Sequence, residues 1–250
     1  MNAMKKLLPA VVLLAVAGPW VPAGAPGDEP PTEIRLGKPK PPAPPPDPAI
    51  ERAAERFLAA RQSASVDRSK EPAARRWIPG AVKVDAATLI GSPGQTLVAF
   101  DFGQGGVERL GVGGFRLKAY LLFADDQGRV VESRDEVLTF VGSGNNYVCG
   151  SLKTAGAMRW NPDDVQKSAD RLKSREAFDR ADAFLRSWVK QQKRTAAYSM
   201  QDFYPVGPGK IQIPCLRFTA QFGKRGYDVI DSPIIMRRGP RGFEVELAAN

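Results

Sequence analysis

The spacing of apolar positions divides this chain into a short apolar leader, a stretch almost free of large apolar residues, and two segments that repeat one order of elements. Leu7 to Ala17 is a continuous apolar run, closed by Pro19 and Pro22. Between Pro26 and Pro46 large apolar side chains become rare. Ile50, Ala54, Phe57, Leu58 and Arg61 then recur at helical spacing, with Arg61 extending a face that is otherwise apolar. Asp47-Pro48 supplies a cap and a first-turn proline for that helix. A polar stretch follows, which Trp77, Ile78 and Pro79 are expected to pin to the core. Thr96 to Phe102 reads as a strand. Phe115, Leu117, Ala119, Leu121 and Phe123 alternate with Arg116, Lys118 and Tyr120, the pattern of a half-buried strand. Asp125-Asp126-Gln127-Gly128 turns the chain, Arg129 to Val141 returns it, and Tyr147 to Leu152 closes the meander.

The second segment opens at Asn161-Pro162-Asp163-Asp164, a cap, a first-turn proline and two carboxylates at a helix N-terminus. Ser174 restarts a second helix, in which Phe178, Ala181, Leu185, Trp188 and Gln192 trace one face. After Tyr204-Pro205, strands are predicted over Lys210 to Phe222, Tyr227 to Arg238 and Gly242 to Leu247, with glycine turns between them. The first of these breaks phase: Ile211 and Ile213 occupy one parity, while Leu216, Phe218, Ala220 and Phe222 occupy the other. A β-bulge at Pro214-Cys215 is the expected cause.

The fold class that follows is α+β, with two tandem halves at 47–155 and 160–250. Each is an amphipathic helix packed on a curved antiparallel meander. Ala54-Glu55-Arg56-Phe57-Leu58 resembles Ala181-Asp182-Ala183-Phe184-Leu185, and the same elements follow each.

The leader changes the picture from a plain α+β domain to an exported one. Lys5 and Lys6 precede the apolar run, which has the length of a secretory signal and is short for a membrane span. Val21-Pro22-Ala23 places compact residues before a cut ahead of Gly24, so residues 1–23 read as a signal peptide. Residues 24–46, with Lys38-Pro39-Lys40-Pro41-Pro42-Ala43-Pro44-Pro45-Pro46, read as a disordered linker of polyproline II character. At about 3.1 Å per residue it would reach roughly 60 Å, as a stand-off arm or a passive linker. The expected location is periplasmic or secreted, with no integral membrane span once the signal is removed.

The 250 residues carry a formal net charge of +9 and no histidine. A Ser-His-Asp triad, a Cys-His dyad and a histidine zinc site are therefore excluded. An exported chain has little access to nucleic acid, so the polyanions left for it are anionic headgroups or envelope polymers; the alternative is that the charge only maintains solubility. Basic residues at predicted turns, such as Lys224 and Arg225, are expected to be solvated.

A helix bearing Phe-Leu, a long curved meander with Gly128-Arg129-Val130-Val131 and a terminal Gly242-Phe243-Glu244-Val245 strand resembles the NTF2-like superfamily. The resemblance implies, for each half, a cone of bent sheet wrapped on helices, which can hold a small apolar ligand or a compact active site. Catalytic members use a cone-facing Asp with His or Tyr partners, a set this chain does not match.

Cys149 and Cys215 are the only cysteines. In an oxidising compartment a bridge between them is expected, stapling the halves; the alternative is two buried thiols in separate cores. Ser187-Trp188-Val189-Lys190 fits the S-x-x-K pattern, but late in a helix and without its partner motifs, so it reads as helix surface. Gly103-Gln104-Gly105-Gly106 and Gly111-Val112-Gly113-Gly114 read as flexible connections between strands, not phosphate cradles. Asp228 with Asp231, and Glu132 with Asp135, fall on opposite strand faces. Glu244 and Glu246 share a solvent side, and Asp125-Asp126 is turn chemistry. Trp188, Phe203, Tyr204 and Arg217 are candidates for a pocket mouth in the second half. No catalytic or metal site is assigned and no cofactor is expected. The function expected is non-catalytic binding of a partner protein, an envelope polymer or a small apolar ligand. The alternative is a histidine-free NTF2-like envelope enzyme.

Overall fold

The computed structural model describes residues 48–143 and 146–247. The expected signal peptide, linker and Asp47 cap lie outside them. Helix α1 (Pro48–Val66) is followed by a 3-10 turn (Arg68–Lys70) and two five-residue helices, α2 (Glu71–Arg75) and α3 (Ala86–Ile90). Four long strands come next: β1 (Thr96–Arg109), β2 (Gly114–Ala124), β3 (Val130–Ser143) and β4 (Asn146–Arg159). They form one antiparallel sheet in the order β1-β2-β3-β4. Ile50, Phe57 and Leu58 of α1 bury against Phe100, Leu121, Phe123, Leu138 and Phe140 of that sheet. Phe57 meets Phe140 edge-on at 5.9 Å and Trp77 at 6.3 Å. Each such side chain contributes about 1.5–3 kcal/mol on leaving water, more than the marginal propensity of an isolated helix of this length.

The second half comprises α4 (Pro162–Arg171), α5 (Arg175–Gln191) and seven strands: β5 (Thr195–Met200), β6 (Tyr204–Gly207), β7 (Lys210–Ile213), β8 (Cys215–Ala220), β9 (Tyr227–Asp231), β10 (Ile234–Gly239) and β11 (Gly242–Leu247). The strands form two sheets, β11-β10-β7-β6 and β5-β8-β9. Asn161 caps α4 as expected, its side-chain oxygen accepting from Asp163 N at 3.1 Å. Ser174 precedes α5, but its hydroxyl donates back to the Leu172 carbonyl and makes no cap. Phe178, Ala181 and Leu185 of α5 pack on Ile211, Ile213, Ile234 and Met236.

The phase break at Pro214 has a different cause from the expected bulge. Ile213 faces Ile234 in one sheet, and Leu216 faces Asp231 in the other. The register is the same on both sides of the break, so no residue is inserted and Pro214 falls opposite Pro233. Neither proline donates a backbone N–H. The ladder of one long hairpin is therefore interrupted on both strands at the same level, and the hairpin bends there from one sheet into the next. Beyond the bend both faces are covered. Phe218 and Ala220 turn towards Val98, Leu122 and Val130 of the first half. Cys215 stays on the side of α5. Followed through the bend, the strands of the second half pair with their sequence neighbours, as β1 to β4 do in the first.

The glycine segments are structured rather than loose. Gly103–Gly106 lie within β1, where the register jumps between Phe102 and Val107. At Gly113 (φ 74°) a Cβ would stand 2.6 Å from the Gly142 carbonyl oxygen, so the turn into β2 is packed against the end of β3.

The β1-β2-β3-β4 sheet packs against the segment that follows it through Val98, Leu122, Val130, Ala197 and Phe218. The turn between β8 and β9 reaches across to α1 and β1: Gly223 N donates to Gln62 Oε1 at 2.7 Å, and Gly226 N to the Phe100 carbonyl at 2.9 Å. Arg225 is not a solvated turn charge. It pairs with Asp101 at 3.0 Å and Glu51 at 3.2 Å, and lies over the Phe102 ring at 4.5 Å. Arg225→Ala is expected to lower unfolding stability by about 1–2 kcal/mol in urea melts, from the lost charged hydrogen bonds and ring contact. A change below about 0.3 kcal/mol would mean that the clamp adds nothing to the union of the halves.

Candidate functional site

Two polar clusters and one cleft stand out from this framework. The first cluster is inside the first half. Arg61 and Glu136 are both fully buried and pair through two contacts, 2.5 Å from Nη1 to Oε2 and 2.9 Å from Nη2 to Oε1. Arg61 Nε also donates to the Leu89 carbonyl at 2.6 Å, and Nη2 to that of Thr88 at 3.0 Å. Arg134 continues the array. It contacts Glu132 at 3.1 Å, donates to the Thr88 carbonyl at 2.9 Å and lies over the Phe123 ring at 4.6 Å. The two guanidinium groups thus cap the carbonyls that end α3, a helix too short to satisfy them itself. Glu132 does face away from Asp135, as expected, but it shares its side of β3 with Arg134 and Glu136.

The second cluster lies under α5. Tyr198 donates its hydroxyl to Asp182 at 2.6 Å, and Arg186 stands 2.9 Å from the other carboxylate oxygen. Burial, and then the bond to Asp182, hold the Tyr198 phenol well above its ordinary value. A protonated, bonded phenol is a poor general base at neutral pH.

The expected pocket mouth is not assembled. Arg217 stacks over Trp188 at 5.5 Å, while Phe203 packs on Phe178 at 6.1 Å inside the core. Tyr204 is exposed on β6. The Arg217 Nε is buried without a hydrogen-bond partner among the described residues. Ser187 and Lys190 are exposed on α5, where Ser187 accepts from Gln191. Asp125 accepts from the backbone N–H groups of Gln127 and Arg129 at 2.9 Å each and pairs with the Arg129 side chain, as turn chemistry requires. Asp228 pairs with Arg194 at 2.6 Å, and Asp231 and Glu244 are exposed.

The cysteines do not form the expected bridge. Both are free and buried, Cys149 in the core of the first half and Cys215 in that of the second. Each is held locally: Cys149 Sγ donates to the Ser151 carbonyl at 3.3 Å, and Cys215 Sγ to that of Ser232 at 3.0 Å, beside the proline bend. The strands that carry them belong to different sheets packed on different helices, which keeps the thiols in separate cores.

The cleft lies where the end of β4 passes into α4, against β5. It has a volume of about 480 Å3, and its border includes the charged Arg129, Arg159, Arg171, Asp164 and Asp202 and the apolar Trp160, Val165 and Met200. Sequence reasoning missed it because its walls come from four separate elements. Among the described residues no group of three or more acidic, cysteine or histidine side chains is placed to hold a metal ion, and no helix is long and apolar enough to cross a membrane.

No protein-family model matches this sequence, and no curated protein matches it. Among solved structures, one similar chain is described as an Ntf2-like potential transfer protein, TraM, from the Gram-positive conjugative plasmid pIP501. It is 16% identical over 45% of this chain and 97% of its own, with a TM-score of 0.33. Another is described as an Ntf2-like protein involved in plasmid conjugation, 10% identical over 78% of this chain and 92% of its own, with a TM-score of 0.30.

Proposed function

We propose that this chain is an exported cell-envelope protein that acts by binding a partner protein, without catalysis. The observation that carries this reading is that the chain itself packs the space between α1 and the β1-β2-β3-β4 sheet, and that between α5 and the β11-β10-β7-β6 sheet. In the first half Phe57, Arg61 and Glu136 occupy the interior, each fully buried. In the second, Phe178 and Leu185 of α5 do so. An NTF2-like enzyme or carrier of an apolar ligand works from a hollow interior, and here the buried carboxylates Glu136 and Asp182 are engaged by internal partners. What remains for recognition is the outer surface. Phe222, Val229 and Ile230 are exposed at or next to β9, the edge strand of its sheet, where unpaired backbone and apolar side chains suit a protein partner. Export rests on the leader of residues 1–23 and the proline-rich spacer that follows.

The test combines location with contact. Cell fractionation and intact mass should find a mature form beginning at Gly24 outside the cytoplasm. A photo-crosslinking side chain at position 230 should give a discrete protein adduct in cells, and one at position 56 on α1 should not. The apolar dye N-phenyl-1-naphthylamine should show no stoichiometric uptake by the purified mature chain. Stoichiometric uptake, or retention of an unprocessed chain in the cytoplasm, would overturn the reading.

A further inference from the structure

We infer that the cleft between the two halves is a binding site for a small amphiphilic anion, a phosphate or carboxylate group carried on an aromatic or short apolar body. The inference stands apart from the partner-binding reading. Its volume of about 480 Å3 falls in the range of small-molecule sites, roughly 300–1,000 Å3. Its lining combines apolar Trp160, Val165 and Met200 with cationic Arg129, Arg159 and Arg171.

The charges in the cleft are unequally engaged. Asp202 accepts from the Ser168 hydroxyl and from Phe203 N, and those bonds hold its carboxyl below the usual carboxylate range with Arg171 adding a smaller effect. Asp164 is bonded to Lys167 at 3.2 Å. Arg129 is bonded to Asp125 at 2.8 Å. The Arg159 side chain is exposed and makes no ion pair or hydrogen bond among the described residues, although it borders the cleft. Ser199 is 6% exposed, lines the same space, and its hydroxyl makes no hydrogen bond among the described residues. The Ser199 hydroxyl and the exposed Arg159 guanidinium, neither bonded to another described side chain, both border this cleft and are the kind of donors that a phosphate or carboxylate requires. A cationic ligand would instead meet three guanidinium groups, with both carboxylates already engaged.

The experiment titrates phenyl phosphate into the mature chain by isothermal calorimetry at low salt, with inorganic phosphate and benzyl alcohol as separate probes for the two ends of the ligand. One-to-one saturable binding of phenyl phosphate is expected, at least tenfold tighter than either fragment. The indole N–H resonance of Trp160, assigned with Trp160→Phe, should shift with the same midpoint. Arg159→Gln is expected to weaken binding about tenfold and Ser199→Ala about threefold. Arg194→Gln, which removes an exposed arginine outside the cleft, should leave binding unchanged. Thermal melts of all three variants establish that they fold. Absence of saturable binding, or equal weakening by Arg159→Gln and Arg194→Gln, would overturn the site. Equal affinity for phenyl phosphate and benzyl alcohol would overturn the anionic assignment.

Discussion

Arg61→Ala is expected to destabilise the protein by about 3–5 kcal/mol, the usual cost of leaving one member of a buried ion pair alone. Glu136 would lose its two-point partner at a position with no solvent access, and its remaining ionic contact would be Arg134 at 3.6 Å. The lost guanidinium also serves the carbonyls of Thr88 and Leu89. An Arg61→Met, Glu136→Leu double variant removes both charges but leaves those carbonyls without a donor, each at a cost of about 1–3 kcal/mol. It should therefore recover only part of the loss, in contrast with pairs that serve no third group. Urea melts of the three proteins measure this directly. If Arg61→Ala lies within 1 kcal/mol of the parent, or the double variant is fully restored, the pair does not support α3 as described. Because α3 and the loop before it close over this end of the sheet, loss of the pair should also speed amide exchange in residues 86–90 more than in α5.

This cluster marks the boundary of what the sequence made legible. The helical repeat of Ile50, Phe57, Leu58 and Arg61 gives α1 and its buried face, and Arg61 stands out as the polar residue on that face. Its partners were harder to see. Glu132, Arg134 and Glu136 alternate into the face that continues as Leu138 and Phe140, so the period-two signal was present. Charge ordinarily places such residues at a solvent face, and only the Thr88 carbonyl of α3, 46 residues before Arg134 in sequence, accounts for their place inside. The strand β5 was missed because Ala196, Ala197 and Tyr198 are all buried: a strand covered on both faces has no alternation to read. Pro214 announced a break in its strand, but the nature of the break depends on Pro233 lying opposite it, a matter of register between separated segments. The order of helices and antiparallel strands along the chain could be read locally. The contact through Val98, Val130, Ala197 and Phe218, and with it the cleft, depends on long-range packing that leaves no local pattern.

Stability should fall steeply at alkaline pH, and the fall should depend on Cys149. Burial pushes its thiol up from 9.0 to about 12, and burial also raises Cys215 and Tyr198 above their ordinary values. In the unfolded chain these groups ionise near pH 9–10, while the folded protein retains their protons. Above that range the unfolded state binds fewer protons than the folded one, so unfolding free energy decreases as pH rises. The contribution is fully present below about pH 9 and is lost progressively towards the folded value. For Cys149 alone the slope is about 1.4 kcal/mol per pH unit, or about 4 kcal/mol over the whole interval. Urea melts between pH 8.5 and 10 should show a shallower decline for Cys149→Ser than for the parent, since serine does not titrate there. A bridge between Cys149 and Cys215 would remove both titrating thiols from the parent, and Cys149→Ser, which frees the Cys215 thiol, would then decline more steeply than the parent, the opposite of the expected order. Under denaturing conditions without reductant, the parent should also take up two equivalents of iodoacetamide, one at each cysteine, whereas a bridged protein would take up none. Separate cores for the two halves and free thiols within them are thus one claim with two readouts, and each readout can fail independently of any function assigned to the chain.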